Sequence, residues 1–175
     1  MNKVIFILLT LFSFSALANS VLSMKERSAL IDTILEQRFS DVLPGIMERE
    51  GIDMWVLMSR EYNEDPVLKT MLPSTWLAAR RHTMLVIYNP GDGRPLEKLA
   101  VARYAVGSLF EKAWDKEAQP DQWQALKHII ESRNPTKIAI NTSDAFALAD
   151  GMTSTEYNRF MATLSDQFKR RVVSG

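Results

Sequence analysis

The sequence predicts an α/β protein built on a mixed sheet, with helices packed on both faces. Apolar residues recur at helical spacing through residues 24–50. A nearly continuous apolar run follows at residues 52–58, as expected for a strand that is buried on both faces. Two β-type runs then enclose the turn sequence at residues 89–95. The order helix, strand, hairpin, helix, strand, helix favours one layered domain.

The first helix is expected to bend near its middle. The sequence Pro44-Gly45 interrupts this helical pattern. Because proline lacks an amide hydrogen, the helix should kink or split into two pieces near Asp41. Gly51 then provides the residue type that most readily ends a helix in the left-handed conformation.

The next strand, residues 52–58, is followed by an unusually long connection at residues 59–81. Connections of this length are often functional. Residues 83–88 and 97–104 are predicted to pair as a hairpin across the turn, and residues 108–114 to add an edge strand.

The last third of the chain predicts two helices around a short strand. Pro120 suits the first turn of a helix, which Asn134-Pro135 should end. Residues 137–140 form the strand. The spacing from Thr153 to Glu156 is that of a capping box, which predicts the start of the last helix.

The amino terminus has the pattern of an export signal. Lys3 precedes an apolar run over residues 4–17, and Ala16 and Ala18 provide the small residues that signal peptidase requires. A spanning helix is the alternative, but the run is shorter than the roughly 20 residues that a bilayer needs. We therefore expect residues 1–18 to be removed, residues 19–175 to form one domain, and the protein to be exported to the periplasm or secreted, with no membrane attachment after cleavage.

Composition excludes several classes of protein. Lys and Arg equal Asp and Glu at 21 each, and no clustered basic face is evident, which argues against binding nucleic acid. The chain has no cysteine, so it has neither disulfides nor the lipid-anchored form of export. Repeats and low-complexity linkers are also missing from the sequence.

The residues alone show no catalytic site. The two histidines, His82 and His128, lack metal-ligand spacing and are interpreted as structural or surface residues. The sequence contains neither a Gly-x-Ser-x-Gly elbow nor a cysteine nucleophile. Asp53 and Glu97 are too few carboxylates for a two-metal nuclease of the ribonuclease H type. We therefore assign no catalytic residue, metal ligand or cofactor to this segment.

The tryptophans divide into two groups. Trp55 and Trp123 lie in periodic segments and are predicted to pack in the core, and Trp114 is predicted to pack in the core or at its edge. Trp76 lies in the long connection beside a cationic group, where an aromatic ring can line a ligand pocket. Simple packing of the loop is the alternative. The candidates for a site that controls substrate access are Trp76, Arg80, Arg81 and His82.

Seven segments of the chain form an ordered series: residues 27–51, 52–58, 80–86, 114–116, 121–133, 137–141 and 147–151. This series resembles the amino-terminal domain of creatinase/Xaa-Pro aminopeptidase metallopeptidases. It covers most of residues 19–175, and its order is more specific than any one match.

This resemblance implies a ribonuclease-H-like module that precedes a pita-bread catalytic domain. In the family, that second domain holds two divalent metals (Mn, Co or Zn) with two aspartates, a histidine and two glutamates. None of these ligands is assigned here, because the catalytic domain is expected after Gly175. Relatives often carry a Tyr-Leu-Thr-Gly-Phe type segment where this chain has residues 60–66, a difference that weakens the case for strict proline specificity.

The function implied is that of a non-catalytic domain of an exported aminopeptidase or dipeptidase. It would assist formation of a homodimer and access of peptide substrate to a neighbouring active site. The loop at residues 60–82 is expected to affect substrate choice more than folding. The alternatives are a stand-alone extracytoplasmic binding module on the same fold and a fragment without independent activity.

Overall fold

The protein is described by a computed structural model over residues 21–175. The predicted leader, residues 1–18, lies outside the described residues. Among the residues described, no helix combines the length and the apolar character that crossing a membrane requires.

The first helical segment is split as predicted. Helix α1 (Met24–Gln37) passes through a π-helical turn (Arg38–Val42) into helix α2 (Leu43–Glu50). The wide turn lies just before Pro44, whose missing amide cannot continue the regular hydrogen-bond ladder. Gly51 ends α2 with a φ of 62°, the left-handed cap that the sequence predicted.

One six-stranded mixed sheet forms the centre of the molecule. Its strands are β1 (Met54–Arg60), β2 (His82–Tyr88), β3 (Glu97–Val101), β4 (Glu111–Lys112), β5 (Ile138–Ile140) and β6 (Val172–Ser174). Their order in the sheet is β4-β3-β2-β1-β5-β6. Strand β1 pairs antiparallel with β2 and parallel with β5, and β2 and β3 form the predicted hairpin. The short outer strands, β4 and β6, pair parallel to β3 and β5.

The remaining helices are α3 (Pro66–Thr70), α4 (Gln122–Arg133), α5 (Ser154–Thr163) and α6 (Asp166–Lys169), with a 3₁₀ turn at Ala147–Ala149. The sequence predicted that Pro120 would lie in the first turn of helix α4, but the helix begins after it, at Gln122. Asp121 caps it instead, because its carboxylate accepts a hydrogen bond from the Trp123 amide at 2.8 Å. Asn134 ends the helix in the left-handed conformation, as expected.

Several predicted bounds were wrong. Strand β1 begins and ends two residues later than predicted, and β3 ends at Val101. The expected edge strand at residues 108–114 is reduced to the two residues of β4. The long connection contains helix α3, which is capped by Asp65 and was not predicted. Strand β6 also went unrecognised in the sequence.

The two faces of the sheet carry separate cores, each covered by helices. On one face, Met54, Val56 and Met58 of β1 belong to an apolar cluster with residues of α4, α5 and α6. On the other face, Leu57 and residues of β2 join a cluster with α1, α2 and α3. This arrangement confirms the α/β prediction with helices on both faces, and it follows from the period-two alternation of side chains along each strand.

The starts of the parallel strands β1 and β5 are joined by the carboxylate of Asp53. It accepts hydrogen bonds from the amides of Thr136 and Lys137 at 2.6 and 2.7 Å, and from the Thr136 hydroxyl at 3.0 Å. Glu97 instead forms an ion pair with Arg133 at 2.6 Å. Both carboxylates singled out by the nuclease hypothesis therefore have structural partners.

We predict that Asp53→Ala lowers the free energy of unfolding by about 1–3 kcal/mol, because two amides lose a charged acceptor. The matched control is Asp144→Ala on an exposed loop, where a change within about 0.5 kcal/mol is expected. Urea denaturation of both variants measures the difference. Equal stability of the two variants would contradict the structural role of Asp53.

Candidate functional site

The buried polar residues of the described chain gather at one end of the sheet. Five polar or charged residues are buried, and they surround the carboxyl ends of the parallel strands β1 and β5: Ser59, Asp65, Thr83, Asn141 and Glu156. Ser59 is the last residue but one of β1 and pairs with Thr83, and Asn141 directly follows β5. The carboxyl ends of parallel strands are where α/β proteins most often place ligand sites.

Asp65 is the centre of this polar group. Its carboxylate accepts hydrogen bonds from Asn141 Nδ2 at 2.6 Å and from the amides of Val67 and Leu68 at 2.7 and 3.3 Å. Its own amide donates to Ser59 Oγ at 2.9 Å. A single residue thus ties the long connection to both parallel strands and starts helix α3.

Burial raises the pKa of the Asp65 carboxyl above its ordinary value. The hydrogen bonds from Asn141 and from the two helix amides oppose this shift, while the negative charge of Glu156 adds to it. Gly151 packs so closely that a Cβ at that position would lie 2.3 Å from Asp65 Cγ. Asp65 therefore has little space for water.

His82 and Glu156 form a second buried contact, beside the one between Asp65 and Asn141. Gln122 Nε2 donates to the carbonyls of His82 and Val101 at 3.1 and 2.6 Å, which leaves Gln122 Oε1 facing His82 Nδ1 at 3.2 Å. That oxygen can only accept, so Nδ1 donates to it. His82 Nε2 then faces Glu156 Oε1 at 3.2 Å without the alignment of a hydrogen bond, and the pair attracts when His82 is protonated.

Burial alone would raise the pKa of Glu156, but its neighbours lower it below the ordinary value. His82 contributes most to the lowering, followed by the hydroxyl of Thr153 and the charge of Arg60. The Thr153 hydroxyl donates to Glu156 Oε2 at 3.0 Å and accepts from the Glu156 amide at 3.2 Å. The predicted capping residues thus start α5 and also hold a buried carboxylate.

A cleft beside this polar group brings together all four residues predicted for substrate access. We call it the arginine cleft; its volume is about 480 Å³. Glu61, Gln122, Ala102, Thr83 and Trp114 complete its wall. The residues that define it are Trp76, Arg80, Arg81, His82, Arg103 and Tyr104.

Trp76 contributes to folding as well as to the cleft. Only 9% of its surface is exposed, and it belongs to the apolar cluster beneath α1, α2 and α3. The alternative of simple packing therefore applies to Trp76, because the connection folds back onto the sheet; the effect of the loop at residues 60–82 on substrate choice stays a prediction. The guanidinium carbon of Arg80 lies 4.2 Å from the Trp76 ring centroid, so the buried ring supports a cation at the cleft.

Arg81 has an uncommon backbone conformation, with a φ of 55°. Glu61 holds it there from both sides: the Glu61 amide donates to the Arg81 carbonyl at 2.7 Å, and Glu61 Oε2 accepts from the Arg81 amide at 3.1 Å. Left-handed residues other than glycine are costly and concentrate at functional sites. The side chain of Arg81 remains exposed.

The structure also shows where the second histidine and the other tryptophans lie. His128 is exposed and lines a different depression from His82. Trp114 and Trp123 are buried as predicted, whereas Trp55 is half-buried and donates from Nε1 to Asn141 Oδ1 at 2.9 Å. Within residues 21–175, no group of three or more histidine, aspartate or glutamate side chains is placed to hold a metal ion.

Sequence reasoning missed Asp65, Arg103, Asn141 and the buried position of Glu156. The Asp65-Pro66 pair was a usable signal, since a capping residue before proline typically starts a helix. A polar residue directly after an apolar strand, such as Asn141, is a weaker one. Arg103 gave no signal, because only the pairing of β2 with β3 brings it beside the connection.

Comparisons with protein-family models, with curated proteins and with solved structures found no match for this chain.

We predict that Trp76→Ala destabilises the protein by about 3–5 kcal/mol, because it removes a buried aromatic side chain from the core. The neighbouring Leu77, which is 88% exposed, provides the control. Leu77→Ala should change the free energy of unfolding by less than about 0.5 kcal/mol. Similar stability of both variants in urea denaturation would show that Trp76 is not a core residue.

A second prediction concerns the dependence of stability on pH. Because the folded-state pKa of Glu156 lies below its ordinary value of 4.5, its charged form stabilises the protein above that pH. This contribution is lost as the pH falls through the folded-state pKa. Wild type should therefore exceed Glu156→Gln in unfolding free energy near neutral pH, and the difference should shrink below pH 4.5.

Urea denaturation across this pH range measures the effect. Glu117→Gln, in an exposed loop, is the matched control and should follow the wild-type curve throughout. A Glu156→Gln deficit that stays constant at acid pH would mean that the carboxylate charge is not the source of the stabilisation.

Proposed function

We propose that this chain is the non-catalytic amino-terminal domain of an exported metallopeptidase of the Xaa-Pro aminopeptidase or dipeptidase type. The ordered series of family-like segments supports the proposal. It is also supported by the α/β architecture, in which a mixed sheet begins with an antiparallel hairpin and carries helices on both faces. Two divalent metals would be held by the pita-bread domain, with no ligand supplied by this chain.

The observation that carries the proposal is the convergence of Trp76, Arg80, Arg81 and His82 in one cleft. These residues come from a single long connection and the start of β2, and the buried Asp65 fixes that connection to the sheet. The exposed guanidinium groups of Arg80 and Arg81 give the cleft a surface for another molecule. In the proposed dimer this surface faces the substrate path of a neighbouring catalytic domain.

The chain's own residues offer little for peptide hydrolysis. His82 is engaged by Gln122 and faces Glu156, and His128 lies in a separate depression. The cleft is therefore proposed to position and select substrate, while the chemistry belongs to the other domain. A homodimer would allow each amino-terminal domain to cover its partner's active site.

A stand-alone extracytoplasmic binding module is the second candidate. The observation in its favour is the arginine cleft itself, whose exposed arginine residues offer a surface for a ligand. The reading frame beyond Gly175 in the native gene separates the two candidates. A following domain with two aspartates, a histidine and two glutamates in the metallopeptidase pattern supports the first, and a stop codon supports the second.

We predict that Arg81→Gln in the complete gene product lowers kcat/KM for Xaa-Pro peptides about tenfold, which corresponds to about 1.4 kcal/mol of transition-state binding. The melting temperature should stay unchanged, because the side chain is exposed. Turnover should require Mn, Co or Zn and should stop on chelation.

Arg49→Gln provides the control, since this exposed arginine pairs with Glu50 and does not line the cleft. It should leave kcat/KM unchanged. Metal-dependent turnover by residues 19–175 alone, or an Arg81→Gln enzyme with wild-type kinetics, would contradict the proposed division of labour.

A further inference from the structure

The arginine cleft contains cations that the chain itself does not neutralise. Within residues 21–175, no carboxylate oxygen lies within 4.0 Å of the guanidinium nitrogens of Arg80, Arg81 or Arg103. Other arginines do have such partners; Arg133, for example, pairs with Glu97 at 2.6 Å. The cleft thus concentrates positive charge in a protein whose formal net charge is zero.

One carboxylate, that of Glu61, also lines the cleft. Its Oε2 atom accepts a hydrogen bond from the backbone amide of Arg81 and fixes the left-handed backbone there. Glu61 consequently acts on the main chain, and the three arginine side chains outnumber it. The cleft keeps an excess of positive charge.

The cationic groups are partly fixed in position before any ligand arrives. Arg80 stacks on the ring of Trp76, which is itself held in the core. Arg81 extends from a backbone that Glu61 clamps from both sides. Because ordering long side chains costs conformational entropy, such fixed positions favour binding.

We propose that the arginine cleft binds the carboxylate of a peptide. Planar guanidinium groups match carboxylates through paired charge-assisted hydrogen bonds. The exposed side chain of Tyr104 offers apolar surface for the adjoining residue. The volume of about 480 Å³ suits a short peptide end rather than a folded partner. The choice of a peptide as the carrier of the carboxylate rests on the proposed function.

Isothermal titration calorimetry on the purified protein tests this proposal without any turnover. The probes are trialanine with a free carboxyl terminus, trialanine amide, and Ala-Glu-Ala amide, which carries only a side-chain carboxylate. We expect trialanine amide to bind at least about tenfold more weakly than the free acid, since it lacks the charge-assisted contacts. Tighter binding of the Glu-containing amide than of trialanine amide would identify acidic side chains as a second source of the carboxylate.

Variants assign the binding to the cleft. Arg81→Gln and Arg103→Gln should each weaken the binding of trialanine with a free carboxyl terminus about tenfold, whereas Arg49→Gln should leave that affinity unchanged. Added salt should weaken binding to wild type, because the contacts are partly exposed. Melting curves of the variants show that each remains folded.

Four results would overturn the proposal. Three of them are the absence of heat with trialanine on folded protein, equal affinity for the free acid and the amide, and affinity unaffected by both cleft variants. Inorganic phosphate that competes as well as the peptide would also overturn it, since the site would then be a general anion site. The two proposals can also fail separately. If the protein binds the carboxylate but its gene ends at Gly175, the metallopeptidase role is rejected and carboxylate binding by the cleft stands.

Discussion

The rest of the site depends on the buried carboxylate of Asp65. Only 1% of this residue is exposed, yet it contacts β1 through Ser59, the start of α3 through its cap, and the end of β5 through Asn141. A buried carboxylate is costly unless hydrogen bonds satisfy it. Here the carboxylate accepts from Asn141 and from the first amides of α3, while the amide of Asp65 donates to Ser59. The long connection is therefore held against the sheet, because moving it would break the contacts with Asn141 and Ser59.

The position of Asp65 also determines where the arginines of the cleft lie on the surface. From Asp65 the chain forms α3, buries Trp76, and returns to β2 through Arg80 and Arg81. The connection is closed at its far end by the backbone contact between Glu61 and Arg81. A segment without a regular strand or a long helix thereby becomes rigid enough to present cations at fixed positions, which is what selective recognition requires.

The sequence predicted the main layers well because period and turn chemistry are local properties. The split near Asp41, the cap at Gly51 and the hairpin between β2 and β3 are all confirmed. Strand bounds and the two-residue β4 were wrong, since pairing partners decide where a strand ends. The grouping of Trp76 with three neighbours was visible in the sequence, whereas Arg103 and the Asp65–Asn141 contact depend on tertiary pairing.

The most direct test of this account is amide hydrogen exchange in Asn141→Ala. This change removes the donor to Asp65 Oδ2 and leaves the local cap on Val67 and Leu68 in place. The account predicts faster exchange across residues 61–81, with the β2–β3 hairpin still protected. Unchanged exchange in residues 61–81, or equally faster exchange throughout the sheet, would contradict the claim that the buried contact between Asp65 and Asn141 positions the cleft.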